Sequence, residues 1–158
     1  MLDLFLGIIL IIAIWTDLKE EIIPNRLTFS LMFFGIIINL YLKGWPGILF
    51  SLKGLFLGLI IFLLPFILGG MGAGDVKLVA GIGAIKGAKF IFIDSLGIGV
   101  IGGIISLFIM LKHGKLKDLI DKFIYRIPLK NLLNRQENDS FGYSIPIVLG
   151  TWLLLLFR

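Results

Sequence analysis

The chain of 158 residues has no cysteine, one histidine and few charges; Asp, Glu, Lys and Arg make up only 16% of it. Without cysteine there is no disulfide, no thiolate metal site and no thiol nucleophile. A soluble domain carries about a quarter of its residues charged. Here the charges are sparse and fall between long apolar runs, which argues against a soluble fold. Ser-rich and Pro-rich linkers are missing, as is any internal repeat, so one membrane domain over 1–158 is expected. The net charge of +5 does not point to nucleic acid. Lys112, Lys115, Lys117, Lys122, Arg126, Lys130 and Arg135 crowd into one segment beside an apolar run. Basic residues placed there are an orientation signal for the cytoplasmic side of a membrane.

What the chain has in abundance is apolar sequence, 58% of all residues. A bilayer core takes about 20 apolar residues as a helix. Six apolar segments can be drawn, at 2–16, 27–42, 48–68, 75–85, 90–111 and 144–157. The fold class expected is therefore an all-α polytopic membrane protein with about six transmembrane helices. The first segment has no basic n-region and no small-residue cleavage site, so it reads as a retained span. With the basic segment inside, the stretches 17–26 and 69–74 are also cytoplasmic and both termini face out. Within 112–140, Leu116, Leu119, Ile120, Phe123, Ile124 and Ile127 recur at helical spacing opposite a charged face. That pattern predicts an amphipathic helix on the cytoplasmic side, resting on membrane lipid.

An ionisable residue inside a span is costly unless paired or hydrated, which makes it a functional candidate. Asp17 and Asp75 both stand at span ends that this topology places on the cytoplasmic side, at comparable depth. Two carboxylates brought together in a partly dry site share a proton. One then acts as general base for a water and the other as general acid for a leaving amine, with no metal and no cofactor. Gly72 and Gly74, around Ala73, can adopt conformations closed to other residues and let another chain approach. Pro24 restrains the chain before the second span and Asn25 is a candidate cap for it. Lys19 and Lys77 are candidate substrate contacts, or else residues whose heads reach the interface.

Together these residues resemble the type IV prepilin peptidase family, the bacterial and archaeal branch of the GxGD aspartic proteases. The first motif stands here as DLKEEIIPN at 17–25 and the second as GAGDVKL at 72–78. The core motifs lie within 5–111, and FGYSIPIVLG at 141–150 is also similar. The resemblance implies an intramembrane aspartic endopeptidase with Asp17 and Asp75 as the catalytic pair and Gly72 and Gly74 shaping the site. Its partner would be a prepilin or pseudopilin precursor, cut at the cytoplasmic face of the inner membrane to remove a short basic leader. Many bacterial members also carry a cytoplasmic insertion with two cysteine pairs and N-methylate the mature pilin. This chain has no cysteine and only the stretch 17–26 between its first two spans, so a peptidase without methyltransferase activity is expected.

Three rival readings differ at identifiable residues. Presenilin-like proteases share G-x-G-D but pair it with Tyr-Asp, whereas Thr16 precedes Asp17 here. A small transporter or proton channel would use Asp17, Asp75 and Asp94 as a relay, yet the inverted symmetry common in transporters is not visible. A membrane subunit without chemistry would leave the two aspartates unexplained.

Overall fold

A computed structural model of the chain describes residues 2–20, 23–67, 70–112 and 144–156. The described residues form six helices: α1 Leu2–Glu20, α2 Asn25–Lys43, α3 Trp45–Ile67, α4 Ala73–Lys86, α5 Ala88–Lys112 and α6 Ser144–Leu156. The amphipathic segment expected over 112–140 lies, after Lys112, outside the described residues.

The helices alternate in direction because their breaks are tight. Gly44 ends α2 at φ 65° and Gly87 ends α4 at φ 83°. A side chain at either position would be strained, and each glycine N–H bonds back into the helix it closes. Pro24, at φ −60° and ψ 131°, stands before α2, and its carbonyl accepts from the N–H groups of Leu27 and Thr28. Helix α3 restarts at Trp45 with Pro46 in its first turn, where a missing N–H costs nothing.

Helix α4 is the centre of the bundle, and its residues from Leu78 to Ile85 are all buried. It packs against α2, α3 and α5 and touches α6. Small residues allow the approach: α3 turns Gly47, Ser51, Gly54 and Gly58 inward along one stripe. Gly54 and Gly83 meet backbone to backbone, so that a Cβ on either would collide with the other's carbonyl. A buried polar contact ties the far end of α4 to α2. Asn39 Nδ2 lies within bonding distance of the carbonyls of Gly35, Ala84 and Ile85 at 3.0, 3.1 and 3.1 Å.

Outward, the bundle is apolar. Leu4, Phe33, Ile60, Leu64, Leu96 and Val100 are exposed large hydrophobic residues. An apolar outer surface suits lipid rather than water. Helices α2, α3 and the Ala88–Ile105 part of α5 are long and apolar enough to cross a membrane. Helix α6 is apolar but shorter, and α4, at 14 residues, rises only about 21 Å against a hydrocarbon core of about 30 Å.

Two of the boundaries that differ from the sequence reading bear on the aspartates. Helix α1 runs on to Glu20, because Leu18, Lys19 and Glu20 are all good helix formers, so Asp17 sits inside the last turns rather than after them. Helix α4 starts at Ala73, which places Asp75 in its first turn.

Candidate active site

Asp17 and Asp75 come to the same end of the bundle through the register of α1 and α4. At the opposite end, Lys86, the last residue of α4, is ion-paired with Asp3 in the first turn of α1. From Asp3 to Asp17 a helix rises about 21 Å, and from Asp75 back to Lys86 about 16 Å. The two helices thus run antiparallel from a shared anchor and bring both carboxylates to the other face.

Asp75 is buried. Gly72 N donates to Asp75 Oδ2 at 3.2 Å, the carboxylate half of a capping box that closes the first turn of α4. Gly72 has φ −76° and ψ 152°, an extended conformation open to any residue. Its glycine is therefore a matter of space, since a Cβ there would lie 3.2 Å from Asp75 Oδ2. Gly74 is likewise in an ordinary helical position, and an added Cβ would meet Ile23 Cβ at 3.0 Å. Of the two properties expected of Gly72 and Gly74, the structure uses close approach and not unusual backbone angles.

The two sequence motifs meet. Ile23, buried just before Pro24, lies on Gly74, and Lys77 Nζ donates to Asn25 Oδ1 at 2.8 Å. Asn25 is not a cap for α2. It is the first residue of that helix, Pro24 holds the cap position without a side-chain bond, and the Asn25 amide oxygen is engaged by Lys77 instead. Lys77 also lies 5.5 Å from the ring centre of Phe29. Lys19 takes no part in this meeting; its ammonium sits 5.1 Å from the Trp15 ring centre, one turn back on α1.

Asp17 is half-buried and its hydrogen-bond partner comes from the last helix. Ser144 Oγ donates to Asp17 Oδ2 at 2.5 Å. Sequence reading missed Ser144, although it lies inside the similar segment 141–150. Asp94, by contrast, is fully buried in a separate contact, where Thr151 Oγ1 lies 2.8 Å from Asp94 Oδ2. Among the described residues no group of three or more His, Cys, Asp or Glu side chains could hold a metal ion.

The profile of the type IV leader peptidase family matches residues 4–111. The chain is 37% identical over 71 residues to prepilin peptidase EppA of Methanocaldococcus jannaschii, covering 45% of this chain and 19% of the relative. It is 30% identical over 152 residues to a prepilin leader peptidase/N-methyltransferase of Legionella pneumophila, covering 92% of this chain and 52% of the relative. A prepilin leader peptidase/N-methyltransferase of Xanthomonas campestris is 37% identical over 98 residues, with 56% of this chain and 34% of the relative covered. The chain thus spans about half, or less, of the length of these relatives. No solved structure matches the chain.

Proposed function

We propose, from the premise that this chain belongs to the type IV leader peptidase family, that it is an intramembrane aspartic endopeptidase whose catalytic pair is Asp17 and Asp75. The observation that carries this reading is the antiparallel register of α1 and α4, which brings both carboxylates to one end of the bundle. One carboxylate takes a proton from water as it attacks the scissile carbonyl, and the other gives a proton to the departing amine. The bond broken is the amide joining a short basic leader to the rest of a prepilin or pseudopilin precursor; prepilin is the substrate in the names of the relatives.

The site end is the cytoplasmic one in this reading. Helix α5 ends there at Lys112 and α6 begins there at Ser144, so the seven basic residues of 112–135 join the chain at that face. The whole of 1–158 then acts as one multi-pass peptidase domain in the cytoplasmic membrane, with the start of α1 and the end of α6 toward the outer face. We also propose that it does not methylate its product, because only residues 21–24 separate α1 from α2, with no cysteine among them. Transfer of labelled methyl from S-adenosylmethionine to a mature pilin by the pure protein would overturn that part alone.

The test is co-expression with tagged prepilins and measurement of their mass. Wild type removes the leader, while Asp17→Ala and Asp75→Ala leave it in place. A folded wild type that cuts none of a panel of prepilins, or cutting by both variants, overturns the mechanism.

A further inference from the structure

Helix α6 buries Pro146 and Gly150 together with a stripe, Ser144, Ile147, Val148 and Thr151, which recurs at i, i+3, i+4 and i+7. Both ends of that stripe are hydroxyls, and each lies against a carboxylate on a different helix. Ser144 Oγ donates to Asp17 Oδ2 of α1 at 2.5 Å, and Thr151 Oγ1 lies 2.8 Å from Asp94 Oδ2 of α5. Ser144 and Thr151 are both fully buried, so neither hydroxyl can trade its carboxylate for bulk water. Below Ser144, Gly150 packs against Ile98 with no room for a Cβ, and Trp152 lies on Gly7 of α1. The helix is therefore fixed in height between α1 and α5, and its first residue reaches Asp17.

Resting on the peptidase reading above, we infer that Ser144 is a positioning residue for the cleavage reaction, acting through Asp17. Its hydroxyl occupies Oδ2 of Asp17. That fixes the carboxylate plane and leaves Oδ1 as the oxygen presented to the attacking water or to the second carboxyl. Among the described residues this is the side-chain hydrogen bond that Asp17 makes, so its loss frees the carboxylate to rotate about χ2. A near-attack geometry held by one bond is sensitive to such freedom, because small displacements of a catalytic group are costly to the chemical step and not to substrate binding. The function of α6 in this scheme is to deliver one hydroxyl to the catalytic centre from outside the two motifs.

The experiment is steady-state cleavage of one prepilin by the full chain in lipid vesicles, for wild type, Ser144→Ala, Ser144→Thr, Ser144→Cys and Thr151→Val, with unfolding temperatures for each. Ser144→Ala is expected to lower kcat about tenfold or more, with KM within about twofold of wild type. Ser144→Thr keeps a hydroxyl and restores most of that loss. Ser144→Cys adds no atom but donates weakly, and falls between. Thr151→Val removes the other hydroxyl of the stripe and lowers the unfolding temperature, with kcat close to wild type. Equal kcat for wild type and Ser144→Ala sinks this inference and leaves the peptidase reading standing. The positioning role is also overturned if kcat across the set follows unfolding temperature rather than donor strength. A wild type that cuts nothing takes both down.

Discussion

Lys77 Nζ donates to Asn25 Oδ1 at 2.8 Å, joining the helix whose first turn holds Asp75 to the helix that opens after Pro24. The contact is exposed, so its direct contribution to stability is modest, about 0.5–1 kcal/mol. Its effect on cleavage is expected to be larger, because it sets where Asn25, and Ile23 before it, lie against the start of α4. Asn25→Ala and Lys77→Ala should each slow cleavage several-fold, and the double variant should be no worse than the poorer single. A double-mutant cycle on kcat checks this. Multiplying losses would show that the two side chains act separately.

Gly74 makes a second, tighter link between the motifs. A methyl group there would lie 3.0 Å from Ile23 Cβ and 3.5 Å from the Ile23 backbone, so the connection must give by a few tenths of an ångström. Gly74→Ala is expected to fold, with a destabilisation of about 1–3 kcal/mol from overpacking, and to lose more activity than stability. Gly74→Val should be worse in both. Gly72→Ala crowds the carboxylate itself, since its Cβ would lie 3.2 Å from Asp75 Oδ2. Kinetics of all three beside their unfolding curves separate displacement of Asp75 from simple loss of fold.

The two aspartates stand out as candidates because a carboxylate at the end of an apolar run is conspicuous in a sequence this poor in charge. Helix existence was legible for the same reason, the apolar runs being long and separated by glycine, proline and lysine. What stayed hidden was pairing at a distance. Asn25 offers one amide oxygen, and a sequence cannot say whether a backbone N–H of α2 or the ammonium of Lys77 takes it; the structure gives it to Lys77. Ser144 carried no signal beyond lying in the similar segment 141–150, since a serine opening a helix is ordinary and its partner is 127 positions away. The glycines of G-x-G-D left two roles open: residue type is the same whether a glycine serves an unusual φ or a close approach, and only the backbone angles decide.

Asn39 holds the far end of α4 and gives a prediction about stability with little effect on chemistry. Its buried amide lies against three carbonyls, two of them, from Ala84 and Ile85, in the last turn of α4. Asn39→Ala strips those groups of their donor where water cannot replace it, and about 1–3 kcal/mol of stability is expected to go. Asn39→Asp is expected to be worse, because an ionised carboxylate has no donor to offer and would itself be buried. At temperatures well below unfolding, both should retain kcat within about a factor of three, since Asp75 is about 14–15 Å away along the helix. A large kcat loss in a folded Asn39→Ala protein would show that the far anchor sets the geometry of the site.

Asp94 separates the peptidase reading from a proton relay. It is fully buried between α5 and α6, and its Oδ1 has no hydrogen-bond partner among the described residues. A relay through Asp17, Asp75 and Asp94 needs a group at position 94 that gains and releases a proton. A packing contact needs only an acceptor for Thr151 and the right volume. Asn satisfies the second requirement and not the first: its amide oxygen accepts from Thr151 Oγ1, and its nitrogen does not titrate near neutral pH. Asp94→Asn is therefore expected to cut prepilin within about twofold of wild type, while Asp17→Asn and Asp75→Asn lose at least 10²-fold, about what acid–base groups supply. Asp94→Leu removes the acceptor and leaves the Thr151 hydroxyl with only the Ile147 carbonyl, so it should lower the unfolding temperature and not kcat. If Asp94→Asn falls as far as the other two, three carboxylates act together and the two-aspartate mechanism is wrong. If it is active, the acidic residue in the second turn of α5 serves the packing of α6 against α5, and the chemistry belongs to the other end of the bundle.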